Sequence, residues 1–169
     1  MKDIITKSIE IAARIHNGQT DKAGLPYILH PWEVAIKSID NVFDDDVRAH
    51  IWSVAMLHDS IEDFEGTKPD KVDFVAELYR EFGSYIVIDI LTLTRKTGKE
   101  YKDTHGREEY KDYIQRIIDS GSSIAKRVKI SDILHNSDLS RVAHLPFDGL
   151  DRNRQVRYAE ALKDLKNTQ

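Results

Sequence analysis

Apolar residues recur at helical spacing along nearly the whole chain. In the first segment they share one face of a helix that ends near Gly18. Residues 19–29 hold turn-forming residues and predict a loop, after which Pro31 suits the first turn of a second helix. Three aspartates at 44–46 can cap and charge the start of a helix over 47–63. Further helices are predicted over 67–83, 107–119, 123–139 and 151–166, with glycines or prolines between them.

Residues 85–94 are ambiguous because they are rich in β-branched side chains. A lone strand among helices would have no partner, so a buried helix is the better prediction. Residues 95–106 form a polar, basic loop with Gly98 and Gly106. The pattern shows no domain boundary, and the sequence predicts one all-α helical bundle over residues 1–169.

Composition narrows the classes of function. The chain has 169 residues, a net charge of −4 and no cysteine. The charge argues against non-specific nucleic-acid binding, and the lack of cysteine excludes disulfides, thiolate metal sites and cysteine nucleophiles. Charges at the amino terminus do not fit a signal peptide, and no apolar run is long enough to cross a membrane. We therefore expect a cytoplasmic protein that binds neither nucleic acid nor membrane.

The segment from Leu57 to Asp63 holds the strongest chemical signal. It places His58, Asp59, Glu62 and Asp63 within six residues, after an apolar stretch that predicts a buried helix. On a continuous helix these four side chains would project from adjacent rows of one face. Burial of unpaired charge is costly, so the pattern predicts a divalent cation as the partner of these side chains. The alternative is a solvated acidic helix end, which the helix dipole disfavours.

Two other segments carry candidate ligands. Asp132 interrupts an apolar stretch, with His135 and Asn136 near the same face, but it can instead form a salt bridge with Arg127 or Lys129. His30 stands at a loop-to-helix junction, where a lone histidine is more often structural. The remaining histidines have no comparable neighbours and are interpreted as surface or packing residues: His16, His50, His105 and His144. His50 lacks an orienting acid, so no Ser-His-Asp triad is evident.

The ordered motifs of the chain resemble a known family. His30, then His58-Asp59, then Asp132 look like the ligands of HD-domain metal-dependent phosphohydrolases. More specifically, five segments resemble the hydrolase domain of RelA/SpoT homologues, which removes the 3′-diphosphate of the alarmone (p)ppGpp: His16–Gln19, Pro26–Pro31, Leu57–Asp63, Phe82-Gly83 and Lys129–Asn136. The resemblance covers roughly residues 8–160. It implies a single HD-domain helical bundle acting as a stand-alone small alarmone hydrolase.

The resemblance also implies roles for individual residues. His30, His58, Asp59 and Asp132 would bind one metal ion, usually Mn²⁺ in this family, although a mixed nitrogen and oxygen site also suits iron or zinc. Glu62 and Asp63 would be the catalytic carboxylates beside the attacking water. Lys22, Asn136 and Tyr158 would bind the nucleotide substrate.

Two positions depart from the family pattern. Asp21 stands where the family usually has arginine, and Ile133 follows the metal aspartate where arginine is common. An aspartate repels phosphate, so both departures bear on substrate recognition.

Basic residues of 95–107 are either replacement phosphate contacts or a solvated loop. The alternatives to alarmone hydrolysis are an HD-domain phosphatase or nucleotidase for another nucleotide such as NADPH, and a nucleotide-binding regulator without turnover.

Overall fold

The computed structural model describes residues 2–65, 68–98, 106–142 and 149–167. The helices within these ranges are α1 Lys2–Ile15, α2 Leu29–Ser38, α3 Asp45–Leu57, α4 Ser60–Asp63, α5 Lys68–Leu93, α6 Tyr110–Asp119, α7 Ser123–Asn136 and α8 Gly149–Asn167, with a 3₁₀ turn at Leu139–Val142. The described residues form no strand, only isolated bridges that join Thr20 to Pro26 and Thr97 to Arg107. The predicted all-α class is confirmed.

Helix α3 lies at the centre of the bundle and packs against α1, α2, α5 and α7. Its second half is fully buried because the sequence there is apolar on every side, from Val54 to Leu57. Helix α7 packs against α2, α3 and α5 and buries Val128 and Ile133. These two helices bring the sequence region around residue 58 next to the region around residue 132.

Helix α5 resolves the ambiguous segment. The chain is helical through Leu93, with a kink at Gly83, whose φ of 73° and ψ of 176° are not helical. Glycine reaches this backbone conformation without a steric cost, which explains the break at that position. The predicted helix over 85–94 is confirmed, but it is only half buried: Val87 and Ile90 face the core, whereas Tyr85 is 82% exposed.

Helix α3 differs from its prediction in a way that shapes the site. The expected helix over 47–63 ends at Leu57, and a turn at His58 and Asp59 precedes the short helix α4. Asp59 has φ −96° and ψ −9°, which are close to helical values, but the residue lies between α3 and α4 and belongs to neither helix. The chain bends there, so the four polar side chains do not form the simple rows of a continuous helix.

Ile133 is also placed differently from the expectation. Its side chain is completely buried in the core cluster and not in a pocket. An arginine there would leave a buried charge without water, whereas isoleucine contributes apolar packing. The interpretation of Ile133 as a change in substrate recognition was therefore wrong.

Ser122 positions the helix that carries Asp132. Its hydroxyl accepts a hydrogen bond from the Ala125 amide at the start of α7 and donates one to Asp89. We expect Ser122→Ala to lower the free energy of unfolding by about 1 kcal/mol, since a capping acceptor is lost. Urea unfolding measures this, with the exposed neighbour Ser123→Ala as the matched control. Equal midpoints for the two variants would contradict the capping role.

Candidate active site

Three elements bring four predicted metal ligands together. His30 lies in the first turn of α2, His58 and Asp59 in the turn after α3, and Asp132 in the last half of α7. His30, His58 and Asp132 are each at least 95% buried. Asp59 is less enclosed, and its side chain is 25% exposed.

The donor atoms of these side chains converge on one point. Nε2 of His30 lies 3.3 Å from Nε2 of His58, and Oδ1 of Asp132 lies 3.3 Å from the first and 3.8 Å from the second. Among the described residues, His30, His58 and Asp132 form a group whose ligand atoms all lie within 4.8 Å of one another. Oδ2 of Asp59 completes the cluster at 3.1 Å from Nε2 of His58 and 3.4 Å from Nε2 of His30. This group is able to hold a metal ion.

The hydrogen bonds on the far side of each ring fix the tautomers that a metal ion requires. Nδ1 of His58 lies 2.7 Å from the Ala55 carbonyl and must donate to it, which leaves Nε2 with a lone pair. Arg141 can only donate, so Nδ1 of His135, 3.2 Å away, is an acceptor. Nδ1 of His30 therefore donates to the same His135 atom across 2.8 Å. Both Nε2 lone pairs then face the cluster.

Neighbouring charges favour the ionised carboxylates. Burial alone would raise the pKa of Asp132, but Lys129 and the two histidines hold that pKa well below its usual range. Nζ of Lys129 lies 2.8 Å from Oδ2 of Asp132. The predicted salt bridge with Lys129 therefore forms through one oxygen of Asp132, while the other oxygen faces the histidines, so the salt bridge does not prevent a role as a metal ligand. Arg127 instead donates to the carbonyls of Ser38 and Asp40.

In the absence of a cation, protons take its electrostatic role. Burial lowers the pKa of His58, but Asp59 and Asp132 more than offset this and raise it well above its usual value. A metal ion must displace that proton, so metal binding is expected to weaken at low pH. A positive charge at the centre of the cluster is therefore favourable.

Two carboxylates with raised pKa values adjoin the cluster. Oε1 of Glu62 accepts a hydrogen bond from the Arg95 amide at 2.6 Å, and burial raises the pKa of its carboxyl group. Burial and the charge of Asp59 raise the pKa of Asp63 to about 6. The value for Asp63 lies near neutrality, so this group exchanges protons readily at physiological pH, as general acid–base chemistry requires.

His16 is a neighbour of the site that the sequence analysis missed. The histidine is buried, its Nδ1 lies 2.9 Å from Oε1 of Gln19 and 3.6 Å from Oδ2 of Asp63, and its ring contacts Tyr27. Tyr27 in turn donates to Oδ2 of Asp59 across 2.7 Å. The available signal was the motif His16–Gln19, which placed the histidine close to Gln19 without indicating the partner Asp63.

His50 does have an acid, contrary to the sequence analysis. Its Nε2 lies 2.9 Å from Oδ2 of Asp89 in α5. Ser53 donates to the Ala49 carbonyl, and Ser122 donates to Asp89 itself. Neither hydroxyl is bonded to the His50 ring, so the contact is structural and no triad forms here. His105 and His144 lie outside the described residues.

A cavity of about 280 Å³ adjoins the cluster at His30. All three predicted substrate-binding residues line it, namely Lys22, Asn136 and Tyr158. Nδ2 of Asn136 also donates to Oδ1 of Asp132 at 2.6 Å, which connects the cavity wall to the metal ligands. A larger open hollow beside Arg14 and Glu77 contains none of the predicted site residues.

Two arginines in this cavity were not expected from the sequence. Arg141 and Arg154 both contribute to its wall. Nη2 of Arg141 lies 2.6 Å from Oδ2 of Asp21, so the aspartate is paired with a cation. The expectation that Asp21 repels phosphate was therefore wrong, since its charge is neutralised in place. Of the basic loop over 95–107, residues 99–105 lie outside the described residues.

Comparison with known proteins supports the resemblance drawn from the motifs. No family model matches the chain. It is 30% identical over 168 residues to a guanosine-3′,5′-bis(diphosphate) 3′-pyrophosphohydrolase of Borreliella burgdorferi, and 29% identical over 166 residues to a GTP pyrophosphokinase of Myxococcus xanthus. These alignments cover 92% and 96% of this chain but only 21% and 20% of the relatives, so the chain spans about a fifth of their length.

A solved structure shows the same fold. It belongs to a metazoan orthologue of SpoT, described as hydrolysing ppGpp and acting in starvation responses. The TM-score is 0.72 at 22% identity, and the match covers 98% of this chain and 86% of the other. The predicted HD-domain helical fold and the resemblance to RelA/SpoT-type proteins are confirmed. In the described ranges, no helix is long and apolar enough to cross a bilayer.

Metal binding can be tested without any substrate. We expect Mn²⁺ or Zn²⁺ at a hundredfold excess over Kd to raise the unfolding midpoint by roughly 5–10 °C. His58→Ala removes a ligand and abolishes this rise, whereas His50→Ala retains it because His50 pairs with Asp89 instead. Differential scanning calorimetry with and without a chelator makes the measurement. An equal metal-induced rise in both variants would contradict the assignment of His58.

Proposed function

We propose that this chain, which has the fold of a SpoT-type hydrolase, is a metal-dependent phosphohydrolase that removes the 3′-diphosphate of (p)ppGpp or a related 3′-phosphorylated nucleotide. The observation that carries the proposal is the convergence of His30, His58, Asp59 and Asp132 beside a cavity with basic residues. The names of the relatives provide the substrate class. The fold match adds weight because it covers 86% of a solved chain that is described as hydrolysing ppGpp.

The four converging residues would hold one divalent cation, for which Mn²⁺ is our proposal and iron or zinc the alternatives. The ligand set supports this choice, since two imidazoles and two carboxylates suit a borderline to hard metal. When bound, such an ion offsets charge on the transferring phosphoryl group and lowers the pKa of water. Lys129 keeps Asp132 ionised, and Tyr27 orients Asp59 through its hydroxyl.

Glu62 and Asp63 are proposed as the proton-transferring groups. Glu62 is held by the Arg95 amide, which fixes the position of one carboxylate oxygen. With a pKa of about 6, Asp63 is mostly deprotonated at neutral pH and can accept a proton from the attacking water. The leaving nucleotide oxygen receives a proton in the same reaction, and a carboxyl group with a raised pKa can supply it.

The cavity residues are proposed to hold the nucleotide. Lys22 supplies positive charge for a phosphate, Asn136 a polar contact beside Asp132, and Tyr158 an aromatic wall. We further propose that this domain acts in the cytoplasm on a small nucleotide, without nucleic acid as a partner.

Another phosphohydrolase activity is the second candidate. A phosphatase for a nucleotide such as NADPH was suggested by Asp21, but the ion pair with Arg141 removes the repulsion on which that suggestion depended. The two activities differ in their products, since the first releases pyrophosphate and the second orthophosphate. A binding module without turnover would have no need for the two carboxylates of Glu62 and Asp63.

The main test follows products of ppGpp with the Mn²⁺-loaded protein by anion-exchange chromatography. We expect GDP and pyrophosphate, with the formation of both products abolished by a chelator.

Glu62→Gln should retain the metal and lose roughly 10²- to 10⁴-fold in turnover, because a proton-transferring group is lost. The exposed acid Glu65, replaced as Glu65→Gln, is the matched control. Full activity in Glu62→Gln would remove its catalytic assignment, and release of orthophosphate would favour the phosphatase.

The pKa of Asp63 predicts a pH dependence. A proton acceptor works only when deprotonated, so kcat/KM should rise with pH through about 6 and then level off. In Asp63→Asn this limb should disappear from the residual activity, whereas the exposed Asp73→Asn should retain it. Stopped assays between pH 5 and pH 8, a range of about one unit or more on each side, measure the profile. Persistence of the limb in Asp63→Asn would assign it to another group.

A further inference from the structure

Asp21 and Arg141 form a fixed wall of the cavity. Oδ1 of Asp21 accepts hydrogen bonds from the amides of Ala23 and Leu25, both at 2.9 Å, while Oδ2 holds Nη2 of Arg141. The aspartate side chain is only 12% exposed. Its loop and the 3₁₀ turn at Leu139–Val142, which are 120 residues apart in sequence, are therefore joined at this point.

The other end of the Arg141 guanidinium is also anchored. Nη1 lies 3.2 Å from Nδ1 of His135 and 3.4 Å from its carbonyl oxygen. Because both terminal nitrogens are held, the guanidinium plane is fixed before any ligand binds. A side chain that is already ordered loses little entropy on binding, which favours a recognition role.

The chain of contacts also sets where the cavity wall lies relative to the metal ligands. Arg141 contacts His135, and His135 contacts His30, whose Nε2 faces the metal cluster. The guanidinium is thus separated from the cluster by two hydrogen bonds and one imidazole ring. A reacting phosphoryl group at the cluster leaves the remainder of a nucleotide to extend along the cavity toward Arg141.

We propose that Arg141, held by Asp21, recognises the nucleoside part of the substrate by presenting its guanidinium plane to the base. This inference rests on the proposed function. The pair is neutral overall, so it attracts a phosphate less than an unpaired cation would. A planar guanidinium nevertheless stacks on an aromatic ring, and this does not require net charge on the pair. The chain thereby supplies from position 141 the guanidinium that Asp21 cannot.

The test must separate loss of the guanidinium from exposure of the Asp21 charge. Arg141→Ala alone would leave an unpaired aspartate that repels phosphate and obscures the result. We therefore compare Asp21→Asn with the double variant Asp21→Asn/Arg141→Ala, which differ only at position 141. Asparagine retains the oxygen that accepts the Ala23 and Leu25 amides, but its amide nitrogen cannot accept from Arg141. In the Asp21→Asn background the guanidinium is therefore held by its contacts with His135 alone.

Binding is measured by titration calorimetry with Mn²⁺-loaded protein, with GDP and inorganic pyrophosphate as probes. We expect the double variant to bind GDP about tenfold more weakly than Asp21→Asn, with the affinity for pyrophosphate unchanged. Asp21→Asn/Arg141→Lys should not restore the affinity for GDP, because an ammonium lacks the plane. Arg14→Ala, which breaks a 2.8 Å ion pair with Glu77 outside this cavity, is the matched control. Unfolding midpoints establish that each variant is folded.

Several results would overturn the assignment. The assignment fails if GDP affinity is equal with and without Arg141, or if the affinities for GDP and for pyrophosphate fall together. It also fails if Arg141→Lys restores GDP affinity, or if the unsubstituted protein does not bind GDP. The proposed function fails separately. If GDP binding depends on Arg141 but ppGpp is not cleaved, only the hydrolase proposal is overturned.

Discussion

The structure depends on one electrostatic constraint at its centre. Two imidazole lone pairs and two carboxylates converge in a largely buried region, where water screens their mutual repulsion poorly. A positive charge among them relieves this repulsion, and the raised pKa of His58 shows that the two carboxylates favour a proton there. A divalent cation meets the requirement with a fixed geometry, and its charge is then available to a phosphoryl group.

The surrounding elements hold these donors in place. The turn after α3 directs His58 and Asp59 inward, the first turn of α2 positions His30, and α7 carries Asp132 against both. The same contacts extend outward through His135 to Arg141 and through Asn136 to the cavity. The proposed metal ligands and the cavity wall therefore belong to one hydrogen-bond network.

Sequence reasoning succeeded where the information was local. Helical periodicity predicted the all-α fold, and the spacing from His58 to Asp63 predicted where a candidate metal site would lie before any contact was known. It failed where partners are far apart along the chain: His50 and Asp89 are separated by 39 residues, His30 and His135 by 105, and Asp21 and Arg141 by 120. Periodicity gives the face of a helix but not the residue that meets it, so charge compensation between distant segments is visible only after folding. The turn at His58 and Asp59 was missed for a related reason, since no glycine or proline marks it.

The most direct measurement is anomalous diffraction at the manganese absorption edge from crystals grown with Mn²⁺. We predict one peak per chain, about 2 Å from Nε2 of His30, Nε2 of His58, Oδ2 of Asp59 and a carboxylate oxygen of Asp132. A peak elsewhere, or none at this cluster in metal-saturated crystals, would contradict the claim that these residues form the reaction centre.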